Sequence, residues 1–345
     1  MSEVAARVDL GAYAAAVPDE VLSRLRGARR VLTICHENPE ADALGSALAT
    51  ALLVEHLGGV ATPVCADPLP EMYEFLPGMD RFRREPDPAI DYDLLVVCDC
   101  GELERVGPVL ESHRELFERV PILDIDHHAS NRRFGAYDWI DPRSSATCEM
   151  VALVAWRLGV PLESFGGMLA SALAGGVIMD TGSFQHPNVT PRTMVVAAAL
   201  KEAGAPMSEI ARRIYRSKPN TQLMLFGRVL ARLDSDLDGR LVWSTLELAD
   251  LSAAGAGSAE SEGLIDLLAQ SATSEASILF KEGNNGSTRV SVRTRDGGVD
   301  ATALTGTFGG GGHARAAGAT LALPLEEARQ AVLARAAELV AAVKR

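Results

Sequence analysis

The sequence predicts an α/β protein: a doubly wound parallel-sheet domain, then a helical connector, then a smaller mixed α/β domain. Three observations predict it. In the first half of the chain, short apolar runs ending in acidic or histidine residues alternate with helical segments, the order expected of a βαβ sheet with its polar tips along one edge. Beyond Thr190 the periodicity is helical to about Leu233, and strand-like runs then return, two of them joined by Asn284-Asn285-Gly286, a hairpin signal. With 345 residues, 47% of them hydrophobic, the chain is long for one core and rich enough to bury two. The expected boundaries are 1–195 for the first domain, 196–233 for the connector and 234–345 for the second domain.

The first predicted strand is 31–35, VLTIC, followed by HENPEADALGSALATALL at 36–53, where a polar cluster hands over to an Ala/Leu-rich helix. His36, Glu40 and Asp42 fall close together there; the alternative is that the two carboxylates only complement the positive end of a helix. ATPVCAD at 61–67 is a second strand, and DLLVVCDCG, apolar without interruption up to Asp99, reads as a central strand buried on both faces. A charged helical stretch at 102–119 precedes PILDIDHHASN, an apolar run ending in Asp126, His127 and His128. Helical segments follow at 146–158 and 167–177, the second running into MDTGSF, so that Asp180 reads as a fifth polar tip. Lys218-Pro219-Asn220 interrupts the helical connector. LVWSTLE, EASILFKEG and STRVSVRTR are the strands of the second domain, which also holds GTFGGGGHARAAGAT and closes with a helix over 325–344.

Composition limits the partners. A formal charge of −13 argues against coating long double-stranded nucleic acid, yet leaves room for a local basic pocket that takes a small phosphorylated ligand. The opening residues lack a basic region followed by an apolar core, and no run of about 18 apolar residues occurs, so a cytoplasmic protein that does not span a membrane is expected. A homodimer is compatible with these features. The five cysteines include no CxxC pair, and reduced structural thiols are expected.

The polar tips supply His36, Glu40, Asp42, Asp99, Asp126, His127, His128 and Asp180. Carboxylates and imidazoles without a thiolate suit Mn²⁺, Mg²⁺, Fe²⁺ or Zn²⁺. Eight such groups exceed the needs of one ion; two ions about 3.5–4 Å apart, sharing a carboxylate and activating a hydroxide, would attack a phosphate ester in line. A lone Asp-His-His reads equally well as a hydrogen-bonded core feature, whereas four separate tips of this kind point to a metal site. Gly309 to Gly312 beside His313 and Arg315 offers backbone N–H groups and cations for an oxyanion, against the alternative of a flexible loop. Arg289, Arg293 and Arg295 alternate along a predicted strand, forming either a solvated face or one for an anion.

Five motifs, HENPEADALGS, VVCDCG, DIDHHASN, MDTGSF and GGGGHARAAG, resemble in order and spacing the DHH family of phosphoesterases, in its DHH–DHHA1 branch, over nearly the whole chain. The resemblance implies two Mn²⁺ ions, with Mg²⁺ as an alternative. His36, Glu40 and Asp99 would hold one ion, and Asp42, Asp99, His127 and Asp180 the other, with Asp99 bridging. His128 would contact the scissile phosphate, oriented by Asp126. His313 and Arg293 would grip the rest of the substrate, together with Gly310, Gly311, Gly312, Arg315 and Asn131. The implied activity is hydrolysis of short RNA oligonucleotides to mononucleotides, or of 3'-phosphoadenosine-5'-phosphate (pAp) to AMP. Alternatives are a phosphodiesterase for cyclic di-AMP or pApA, and a nucleotide-binding regulatory protein whose metal site has decayed. One departure is Glu40, where the family's first motif usually has Asp.

Overall fold

The computed structural model describes residues 8–295 and 297–343. They form two compact units, one running through Ser217 and the other starting at Lys218. The first unit is built on β1 (Arg30–Ile34), β2 (Val60–Val64), β3 (Leu94–Cys98), β4 (Ile122–Asp126) and β5 (Tyr137–Ile140). All neighbours pair parallel, in the order β2-β1-β3-β4-β5. The central strand β3 is apolar without interruption, and β1 and β4 nearly so, because both faces of the sheet are covered there. Val31, Leu94, Val96, Leu123 and Ile125 pack with the helices Ala41–His56, Thr147–Leu158 and Met168–Asp180, while Leu32, Ile34, Leu95, Val97 and Ile122 turn the other way, onto Val106, Val109 and Phe117.

Two glycines let the three helices close. A Cβ at Gly45 would run into the Ala172 carbonyl, and one at Gly176 into the Asp42 carboxylate and the Cys148 thiol. Packing of this unit and placement of Asp42 are thus one event.

Some elements differ from their sequence patterns. β5 has no clear sequence pattern because it is a short edge strand, only one of whose residues is buried. The charged stretch at 102–119 is broken into Leu103–Val106, Pro108–Ser112 and Arg114–Arg119. The helix expected at 167–177 runs on to Asp180, its last residue. The stretch 196–233 is divided instead of standing between domains: Val196, Leu200, Ile210 and Ile214 complete the first unit's core, whereas Leu225, Phe226 and Val229 enter a core of the second. Each helix goes where its apolar face is covered.

The second unit carries β6 (Asp234–Asp236), β7 (Leu241–Leu246), β8 (Ala276–Glu282), β9 (Thr288–Thr294), β10 (Gly311–His313) and β11 (Ala316–Leu321). They are ordered β10-β11-β9-β8-β7-β6, and only β7 and β8 run parallel. Gly286, at φ 72°, turns the β8–β9 hairpin. The closing helix Leu325–Ala342 buries Ala328, Val332, Ala336 and Val340 against the sheet's core; the expected last residue, Lys344, lies outside the described residues. Half of the glycine run is strand, since Gly311 and Gly312 pair with Gly318 and Ala317. All five cysteines are buried and unpaired, and among the described residues no helix is long and apolar enough to cross a membrane.

Candidate metal centre

Parallel strands end on one edge, and the chain leaves its polar residues there. His36 follows β1, Asp99 follows β3, and His127 and His128 follow β4; Asp42 sits in the first turn of the helix Ala41–His56 and Asp180 closes Met168–Asp180. These side chains gather into the sets His36, Glu40, Asp99 and Asp42, His127, Asp180, overlapped by a third made of Asp99, Asp126, His127 and His128. His36 Nε2 lies 3.2 Å from Glu40 Oε1 and 3.8 Å from Asp99 Oδ2. His127 Nε2 lies 3.1 Å from Asp180 Oδ2 and 3.5 Å from Asp99 Oδ1. Asp99 therefore presents one oxygen to each set.

The imidazoles are oriented as ligands. His36 Nδ1 is 2.6 Å from the Glu37 carbonyl and His127 Nδ1 is 3.3 Å from the Ser144 carbonyl. A carbonyl only accepts, so Nδ1 carries the proton in both rings and a neutral ring offers its Nε2 lone pair. Lone pairs and carboxylates facing one another repel unless a cation lies between them. His127 Nε2 is buried without a hydrogen bond even though two carboxylates are near. The donor set, oxygen and nitrogen without sulfur, fits a hard or borderline divalent ion.

The same crowding governs the protons. Burial lowers the His36 and His127 imidazoles, but carboxylate contacts (Asp99 and Glu40 for the first, Asp180 and Asp42 for the second) outweigh it and push both up to about 10. Burial raises Glu40, Asp42 and Asp180 above the usual carboxylate range. Asp99 moves oppositely: burial would raise it, yet His36, His127 and His128 hold it below that range. The carboxylates that raise these imidazoles are the groups a metal's charge would offset.

Supports surround the sets. Asp42 accepts the backbone N–H groups of Thr147 at 2.6 Å and Cys148 at 2.8 Å, at the N-terminus of the helix Thr147–Leu158. Thr147 Oγ1 donates to Asp99 at 2.9 Å, and Asp99 holds a left-handed φ of 59°. Asp126 takes the His128 Nδ1 at 2.7 Å, a bond that raises the His128 imidazole. Asn131 donates to Asp126 at 2.8 Å, Asp124 at 2.9 Å and the Cys100 carbonyl, so its amide nitrogen supports Asp126. Sequence reasoning missed Asp124, which burial pushes up to about 8, and also Ser144 and Thr147. The signal for Asp124 was its place two residues before Asp126; for the others it was the Ser/Thr-rich stretch ahead of a helix.

The second unit holds a groove of about 640 Å³ lined by Lys281, Arg289, Ser291, Arg293, Gly309 to Gly312 and Gly318, with Glu262 and Asp266 also present. Arg289, Ser291 and Arg293 alternate with the buried Val290 and Val292 along β9. Lys281 stands opposite Arg289, within 2.9 Å of Ser261 Oγ, and burial, with Arg289 and Arg293 nearby, holds its amine below the usual range. Arg293 meets Asp266 at 2.8 Å. Arg295, expected in the same row, lies past the strand end and donates to the carbonyls of Ser271 and Ala272. His313 is exposed on β10, and Arg315 donates to Thr294 and the Val299 carbonyl; neither lines the groove.

Comparison with known proteins follows the same division. Residues 30–177 match the model of the DHH family N-terminal domain, and residues 244–342 that of the DHHA1 domain. The chain is 33% identical over 316 residues to the bifunctional oligoribonuclease and PAP phosphatase NrnA of Thermus thermophilus, covering 91% of this chain and 90% of that protein. It is 26% identical to the Bacillus subtilis protein of the same description, over 83% of this chain and 87% of that one. In fold it resembles an exopolyphosphatase-related protein from Bacteroides fragilis, with a TM-score of 0.81 over 98% of both chains at 20% identity.

Proposed function

We propose, from the premise that this chain belongs to the DHH family and carries a DHHA1 domain, that it hydrolyses short RNA oligonucleotides and pAp with two Mn²⁺ ions. The chain is a hydrolase of the phosphoesterase type, as its relatives are. The observation that carries the finer reading is the Asp99 carboxylate, which turns one oxygen toward each of two His/carboxylate sets. His36, Glu40 and Asp99 would hold one ion, and Asp42, Asp99, His127 and Asp180 the other. When bound, such ions supply an activated water and neutralise charge on the phosphoryl oxygens.

The remaining work falls to the chain. Asp126 fixes His128 by Nδ1 and raises its imidazole, so a protonated ring has Nε2 available to donate to the scissile phosphate. Thr147 and the N-terminus of its helix keep Asp42 and Asp99 in place. Lys281, Arg289 and Arg293, which line the groove of the second unit, supply cationic donors for phosphate that is not cleaved. pAp and short RNA both carry such a second phosphate. Asp99→Asn should bind less than stoichiometric Mn²⁺ by metal analysis and lose about 10³-fold or more in turnover on both substrates. Near-normal turnover with full Mn²⁺ content would defeat the two-ion reading.

A further inference from the structure

We propose that Arg192 is a positioning residue of the metal centre, clamping from both ends the loop that orients three of the proposed ligands; the inference rests on the metal reading above. The loop runs from Asp141, just after β5, to Glu149 in the first turn of the helix Thr147–Leu158. Its middle faces the site. The Ser144 carbonyl accepts the His127 Nδ1–H, the Thr147 and Cys148 amides bind Asp42, and the Thr147 hydroxyl binds Asp99.

Arg192 grips the other side. Its Nη1 donates to Asp141 at 2.8 Å and its Nε to Glu149, while Glu149 also accepts the hydroxyls of Ser144 at 3.1 Å and Ser145 at 2.7 Å. All three charged residues are buried, Arg192 at 9%, Asp141 at 6% and Glu149 at 0% exposure. Arg192 itself is set early in a helix whose start is fixed by reciprocal hydrogen bonds between Thr190 and Thr193. A buried guanidinium held between two buried carboxylates, with its Nη2 left unpaired and only the exposed Arg143 adding a second contact to Asp141, is a poor choice for packing alone, since apolar residues of similar volume hold a core as well. The forked geometry does what apolar packing cannot: it fixes two points of one loop relative to a third. Groups that orient metal-binding side chains act in this way.

The test uses the full chain and two readouts: Mn²⁺ binding by calorimetry, and exchange of the Thr147 and Cys148 amides by NMR in the metal-free protein. Arg192→Met should weaken one of the two ions by about 10–100-fold, the range for loss of an orienting partner. Those amides should exchange at least about tenfold faster, as local opening becomes easier. Arg192→Lys, with charge but no fork, should fall between. Unchanged binding and unchanged exchange in Arg192→Met, even with a lower melting temperature, would make Arg192 a fold residue and overturn the proposal. Should Arg192→Met fail to fold, Asp141→Ala, which removes the acceptor of one arm of the clamp, is judged by the same readouts, with a change of about 3–10-fold expected and no change overturning it. A wild-type protein that binds no Mn²⁺ would defeat the metal reading, while amide exchange would still decide whether the clamp holds the loop.

Discussion

Glu40 shows how much a single methylene can matter at this centre. It precedes the helix Ala41–His56 with extended backbone, makes no capping bond, and turns its carboxylate to His36 Nε2 at 3.2 Å, so complementing the helix start does not account for its placement. Its side chain is 33% exposed, against 1% for Asp99, so it is the ligand candidate with most freedom to adjust. Glu40→Asp should stay within about threefold of wild type in the Mn²⁺ needed for half-maximal rate, whereas Glu40→Ala should need about tenfold more or beyond. An unshifted titration in Glu40→Ala would remove this residue from the ligand set. The charged members of the centre were legible because each stands at a break between an apolar run and a helix. For Ser144 and Thr147 the Ser/Thr-rich stretch marks only a helix start, because a backbone carbonyl and a hydroxyl become functional only once a loop brings them beside His127 and Asp99.

Among the elements, legibility followed burial. β1, β3 and β4 could be read from mainly apolar runs because helices cover both faces, whereas β5 and β10 are edge strands with no such signature. That half of the glycine run is strand is not legible in the sequence, because its pairing with β11 depends on backbone approach, which composition does not record. A second feature invisible in the pattern fastens the helix Asn220–Leu230 to its unit. Asp250 is buried at the start of the helix Leu248–Ala254 and binds Arg232 Nη1 at 2.7 Å and Arg228 Nε at 3.1 Å. Burial would raise this carboxyl, but Arg232 and then Arg228 hold it below the usual range. A depressed carboxylate stabilises the fold above its unfolded value of about 3.9 and loses that contribution as pH falls through the lower folded value. Asp250→Asn should therefore cost about 1–2 kcal/mol at neutral pH, because a buried carboxylate loses its charge beside two guanidiniums that solvent partly screens. It should also flatten the decline in stability below about pH 4, followed by urea unfolding. A wild-type acid slope in the variant would show that Asp250 does not carry it.

Across the whole molecule, charge is sorted by unit. The net −13 describes neither site: the first unit concentrates carboxylates where a cation fits, and the second lines a groove with cations where an anion fits. These cations are not equivalent. Asp266 already neutralises Arg293, whereas among the described residues Arg289 has no side-chain ion pair and Lys281 bonds only a hydroxyl. An incoming phosphate therefore gains most from Lys281 and Arg289. Replacing both with Ala should raise KM for pAp by about 10²-fold, a few kcal/mol of charge-assisted contacts, and replacing Arg293 alone should do less. Because the groove lies in a different unit from the metal ligands, Mn²⁺ content should not change. Turnover of bis-p-nitrophenyl phosphate, which has no second phosphate, should fall much less than turnover of pAp. The KM effect on pAp should also shrink as salt rises, since screening weakens the same cations in the wild type. If the double variant loses Mn²⁺, or slows both substrates alike, the groove serves the fold or the chemistry rather than holding the uncleaved phosphate, and the sorting of charge does not divide the labour.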